Sequence, residues 1–229
     1  MIVLSWLIWP FLFWRALRKE AIAEDRIFDL TFYSTLVAFI FARLGFVISH
    51  NELFLGKSLL LLPALWVSPG LSWLSGLVGG VGTLTFLSRQ YKVRLGIILD
   101  ALVYGLPVAI VVGLIGFLPM SIYEILSIVV IGVIINRLSV RAERRKWPYG
   151  IICVWFFFLY ALAEFVLEFG DTGRVYWGNL TANQWMLIGI FAESVGVLYV
   201  RGGGRERFRP IAHKLYEFIS KRHTHRDTK

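Results

Sequence analysis

The sequence predicts an all-α integral membrane protein with about seven transmembrane helices, the N-terminus outside and the C-terminus cytoplasmic. Three observations carry that expectation. Of the 229 residues 57% are hydrophobic, and the mean hydropathy is +0.68, whereas a soluble domain is nearer half apolar. Seven stretches approach the ~20 apolar residues that a helix rising ~1.5 Å per residue needs to cross a ~30 Å hydrocarbon core. The basic residues gather in every second connection between those stretches.

In order, the stretches are 2–17, 28–49, 71–88, 95–118, 121–138, 149–169 and 183–200. The first is short and holds Pro10. A cleaved signal peptide would carry its positive charge before the apolar run and a small-residue cleavage site after it. Here Arg15, Arg18 and Lys19 follow the run, so the segment reads as a helix. The segment 53–67 is apolar but too short to span and is interrupted by Lys57 and Pro63, which suits a re-entrant or interfacial piece on the outer face. Two units follow: a helical bundle over 1–200 and a basic cytoplasmic tail over 201–229. Within the tail, Phe208, Ile211, Leu215, Phe218 and Ile219 recur at near-helical spacing. They suit either an amphipathic helix on anionic lipid or a solvated basic tail.

The formal charge is +9. All Lys and Arg except Arg43, Lys57 and Arg174 lie in the connections after the first, third and fifth helices or in the tail. Because Lys and Arg collect in cytoplasmic loops, this alternation fixes orientation and accounts for the charge without nucleic acid. The place is then a cytoplasmic (inner) membrane. The one cysteine, Cys153, sits in an apolar run with no partner for a disulfide and no neighbours for a zinc site. No metal and no cofactor are expected.

Charged side chains inside a bilayer are costly and mark function more often than elsewhere. Orientation places Arg43 in the outer half of the second helix, Glu124 at the outer start of the fifth, Glu164 and Glu168 near the outer end of the sixth, and Gln184 near the outer start of the seventh. Tyr160, Glu164 and Glu168 recur at i, i+4 and i+8 on one helix face, and Tyr123 adjoins Glu124. Polar groups from four helices therefore converge at one depth. The arrangement reads as a polar cavity open to the outer leaflet or as structural ion pairs such as Arg43 with Glu168. Asp100 lies near the inner surface and Glu193 mid-membrane, outside that cluster. Gly76 and Gly80 have the spacing that lets helices approach closely. Packing is the plain reading of Gly76, and close approach to a lipid headgroup the functional one.

At these residues the chain resembles the prolipoprotein diacylglyceryl transferase family. The matching stretches are Phe41-Ala42-Arg43-Leu44-Gly45-Phe46-Val47, Gly70-Leu71-Ser72-Trp73-Leu74-Ser75-Gly76-Leu77, and 119–124 with its Tyr123-Glu124 pair. Tyr160 to Glu168, Gln184 and Asp100 also fit, and the resemblance covers roughly residues 10–200. It implies a seven-helix inner-membrane enzyme that moves a diacylglyceryl group from phosphatidylglycerol to the lipobox cysteine of a prolipoprotein signal peptide. In that role Glu168 or Glu124 would orient or deprotonate the thiol, and Tyr160 would position the lipid. Arg43 would bind phosphate, with Tyr123, Gln184 and Gly76 lining the lipid site.

The chain departs from the family pattern at several positions. The family histidine falls on Leu74, the arginine and asparagine of a glycine-rich signature on Leu114 and Phe117, the sixth-helix arginine on Glu164 and a later arginine on Asp171. The outer cluster therefore holds Arg43 against three carboxylates, where like charges repel at low dielectric. Two alternatives follow: a catalytically inactive relative that binds lipid or lipoprotein in the outer leaflet, and a small transporter that uses the acidic cluster for a proton or cation.

Overall fold

Each of the seven apolar stretches is helical in the computed structural model of the chain, which describes residues 1–50, 52, 54, 70–118, 121–170 and 177–201. The helices are α1 (Ile2–Lys19), α2 (Glu24–Ser49), α3 (Trp73–Gln90), α4 (Leu95–Leu114), α5 (Ile122–Arg145), α6 (Ile151–Leu167) and α7 (Ala182–Arg201), with short 3-10 turns after α4 and α6 and before α7. No strand occurs among the described residues. Apart from Phe54, the segment 53–67 lies outside them, as does the tail beyond residue 201, so the unit boundary at 200 and the two segment readings are expectations only.

Among the described residues four helical segments are long and apolar enough to cross a membrane: Glu24–Ser49, Leu95–Phe117, Ile122–Arg145 and Ile151–Gly170. Charge placement reinforces several helix ends. Glu24 and Asp25 open α2, Arg18 and Lys19 close α1, and Arg144 and Arg145 close α5, each opposing the helix dipole. Pro10 and Pro107 lie inside α1 and α4. Each removes one backbone donor, which a helix embedded among neighbours tolerates.

The bundle is built from closely packed pairs: α2 on α3, α1 on α4 and α6 on α7. The central helix is α4, which touches α1, α3, α5 and α6. It contributes to two cores. Phe13, Leu17, Ile27, Leu30, Leu84 and Ile98 join α1 to α4 on one side. Val103, Ile128, Ile135, Phe156 and Leu187 join α4 to α7 on the other. Outward faces stay apolar: Phe28, Ile48, Phe86 and Leu126 are each more than 60% exposed, which suits a lipid rather than an aqueous surround.

The two ends of the bundle differ chemically. At one end, Arg18 meets Glu24 at 3.6 Å, Tyr91 donates to Asp29 at 2.6 Å, and Arg201 donates to the Tyr149 carbonyl at 3.4 Å. The hydrogen bond to Asp29 raises the Tyr91 pKa above its ordinary value. Here too the carboxylate of Asp100 accepts from the backbone N–H of Gly150 at 2.7 Å and of Cys153 at 2.9 Å. Gly150, which precedes α6, has no side chain to cap it, so α4 supplies the cap across the bundle.

That contact needs a bare backbone on α4. A Cβ on Gly96 would stand 2.6 Å from the Tyr149 carbonyl carbon and oxygen and 2.9 Å from the Gly150 nitrogen. Gly96→Ala is therefore expected to cost about 1–3 kcal/mol through overpacking against backbone that cannot yield. A thermal unfolding midpoint in detergent micelles checks this, and an unchanged midpoint would refute the tight α4–α6 contact.

Candidate functional site

The other end carries the polar residues singled out by the sequence. Arg43, in the C-terminal half of α2, is 7% exposed. Its Nη1 donates to the Gly70 carbonyl at 3.0 Å, and its guanidinium lies 5.5 Å from the ring centroids of both Phe46 and Phe54, a cation–π arrangement. Two residues further on, the Ser72 N–H donates to the Ala42 carbonyl at 2.8 Å. The start of α3 is thereby stapled to α2 beside Arg43. Gly76, one turn into α3, is buried, and a Cβ there would come within 3.1 Å of the Ala42 Cβ and 3.2 Å of the Ala38 carbonyl oxygen. Its bare surface sets how closely α3 approaches the arginine-bearing helix.

The same few residues reach the opposite side of the bundle. The Trp73 side chain lies within interaction range of the Tyr160 hydroxyl on α6. Tyr160 is 9% exposed and packs inside the α4–α7 core. Residues 70–73 thus connect Arg43 on α2 with Tyr160 on α6. Trp73 was not among the sequence candidates, although it lies within the stretch that carries the resemblance.

Around Tyr160 gather three carboxylates. Glu124, on the first turn of α5, acts electrostatically on both Tyr160 and Glu164, as does Glu168. All three are half-buried. Tyr123, next to Glu124, is 72% exposed and faces away from the bundle. At Glu168 the helix gives way to a 3-10 turn, so Tyr160 and Glu164 share the α6 face while Glu168 opens the turn beyond it. Its Oε1 accepts from the Thr181 hydroxyl at 3.1 Å and its Oε2 from the Asn183 amide at 3.4 Å.

Gln184 is 2% exposed. Its side-chain oxygen accepts from the Thr181 N–H at 2.9 Å, while the Gln184 N–H donates to the Thr181 hydroxyl at 3.1 Å. This reciprocal pair is a capping box at the start of α7. Thr181→Ala is expected to cost about 1 kcal/mol as a lost cap and to release Glu168 from its hydroxyl partner. A thermal midpoint no lower than that of the unaltered protein would refute the capping role.

The positions that differ from the family pattern are apolar or acidic here. Leu74 is 5% exposed in the core, Phe117 is 57% exposed, and Glu164 stands among the carboxylates. Asp100 lies at the basic end, away from this cluster, in its capping role. Among the described residues no group of three or more His, Cys, Asp or Glu side chains is placed to hold a metal ion.

A family model for prolipoprotein diacylglyceryl transferase matches residues 1–118. The matched part includes Arg43, residues 70–73 and Gly76. Tyr123, Glu124, Tyr160, Glu168 and Gln184 lie beyond it. No curated protein matches the chain.

Proposed function

The chain belongs to the prolipoprotein diacylglyceryl transferase family, and on that basis we propose that it transfers diacylglyceryl from phosphatidylglycerol to the lipobox cysteine of a prolipoprotein. The cysteine thiolate sulfur attacks the glycerol carbon that carries the phosphoester. A sulfur–carbon bond forms, the carbon–oxygen bond breaks, and glycerol phosphate leaves with the bonding electrons. The thiol proton passes to a carboxylate. Such a step needs a base near the thiol and positive charge at the departing phosphate.

The observation that supports this reading is the link through residues 70–73. Arg43 is fixed by the Gly70 carbonyl, and Trp73, three residues on, stands within interaction range of Tyr160. A cation for the phosphate and a hydroxyl beside three carboxylates thereby stand at one end of the bundle. In this scheme Arg43 binds the phosphate, Glu168 or Glu124 takes the thiol proton, and Tyr160 positions the lipid. Tyr123, Gln184 and Gly76 border the lipid.

The membrane arrangement completes the proposal. Seven crossings put the basic end in the cytoplasm and the Arg43–Tyr160 end toward the outer leaflet of the bacterial inner membrane. A reporter fused after Lys229 is then expected to stay cytoplasmic. For the reaction itself, glycerol phosphate should leave phosphatidylglycerol micelles only when a lipobox peptide is supplied. Equal release without the peptide would mark a lipid hydrolase and overturn the transfer reading.

A further inference from the structure

A groove of about 670 Å³ runs between α3 and α7, with α4 and α6 as its floor. Most of its lining is apolar, including Leu77, Val78 and Phe157, but α7 places Glu193 in it. Among the described residues Glu193 has no hydrogen-bond or ion-pair partner. A carboxylate in the middle of a helix of a multi-pass membrane protein is costly unless something meets its charge. One turn away, Gly189 also lines the groove, and a Cβ added there would touch nothing within 4 Å. Bare backbone of this kind lets another helix approach closely.

The groove also leads somewhere. At its outer end stands Leu74, next to Trp73, which lies within interaction range of Tyr160. At its inner mouth stands Arg201, which donates to the Tyr149 carbonyl and acts electrostatically on Asp100. Glu193 stands two turns further along α7 from this mouth, as the carboxylate that lines the groove.

Length supplies a further constraint. Glu193 follows Gln184 by nine residues, about 14 Å along a helix. A signal segment consists of a basic stretch followed by roughly 7–15 apolar residues, which as a helix span about 10–22 Å. A basic residue held at Glu193 would therefore bring the far end of such a segment level with Gln184 and Glu168.

We propose that the groove between α3 and α7 docks the apolar signal segment of the acceptor, with Glu193 receiving the basic residue that precedes it. This inference rests on the transferase reading, which supplies the acceptor, but the site and the role of Glu193 stand on the groove itself. Glu193 is then a specificity-determining residue for the acceptor and does not touch the reacting atoms.

The test uses full-length protein in phosphatidylglycerol micelles with a photocrosslinking amino acid at Met186, in the groove, or at Phe86, on another face. The probe is a synthetic prolipoprotein signal peptide with lysines before its apolar stretch. Crosslinking is expected at Met186. Glu193→Lys should lower it by about tenfold, the scale of one lost charge contact, and a peptide with glutamates in place of the lysines should restore it. Glu193→Gln, a near-isosteric change, should give an intermediate loss and guards against a folding artefact. Crosslinking that is unaffected by Glu193→Lys, or that favours Phe86, would overturn the proposal. Peptide mass separates this outcome from the fate of the transferase reading. A diacylglyceryl gain without Met186 crosslinking leaves transfer standing and removes the docking site. Glu193-dependent crosslinking without a mass gain does the reverse.

Discussion

Arg43→Ala is expected to lower diacylglyceryl transfer by about 10²–10³-fold, the effect of removing one preorganised group that stabilises developing charge. The reason lies in the balance of charges at the end of the bundle that carries Arg43 and Tyr160. Arg43 is the cation placed there among the described family-matched residues, and Glu124, Glu164 and Glu168 stand around Tyr160. Without the arginine, a phosphate would meet an acidic surround. Arg43→Lys should recover part of the rate, because an ammonium keeps the charge but loses the planar fork that addresses a phosphate and a carbonyl together. The loss should appear in turnover more than in folding, since a cation–π contact of this kind contributes only about 0.5–2 kcal/mol. Thermal midpoints of the same preparations check that point. Activity that survives Arg43→Ala would remove the arginine from the reaction.

Asp100→Ala should be the most destabilising polar substitution outside that cluster, by about 2–5 kcal/mol, because it strips two backbone N–H groups of a charged acceptor. The carboxylate spans Gly150 and Cys153 at the start of α6, where its negative charge also opposes the helix dipole. Asp100→Asn keeps one acceptor oxygen but turns an amide toward the second N–H, so an intermediate loss is expected. Because Asp100 sits at the basic end, the surviving folded fraction should transfer lipid at an unaltered rate per molecule. Thermal unfolding together with activity normalised to folded protein separates the two effects. A normal midpoint with lost activity would make Asp100 a participant in the reaction instead of a cap.

All seven helices were legible in the apolar stretches, and their ends moved by only a few residues. The largest shift is at α5, expected over 121–138 and observed as Ile122–Arg145. There the apolar run ends before the helix does, and Arg141, Arg144 and Arg145 continue it as a polar extension. Hydropathy reports burial in lipid, whereas the helix continues as long as its backbone bonds can be made.

The site was legible in part. Tyr160 and Glu164 lie on one α6 face as their spacing requires, but the helix tightens at Glu168, which periodicity does not reveal. Thr181-Ala182-Asn183-Gln184 carries a capping-box pattern that a closer reading for helix starts would have found. No local signal could have disclosed that Asp100 caps a helix fifty residues away, or that Trp73 reaches Tyr160. Both depend on how helices distant in sequence pack, and a glycine at the α6 cap gives only the hint that its partner must come from elsewhere.

The central claim is that this chain carries out its family's transfer even though Leu74, Leu114, Phe117 and Glu164 replace the residues of the family pattern. The most direct test incubates purified protein in phosphatidylglycerol micelles with a lipobox peptide and follows the peptide's mass. The account predicts a gain of one diacylglyceryl group on the cysteine peptide and none on its serine counterpart. No gain on either peptide, while another member of the family modifies the cysteine peptide alongside, would contradict it.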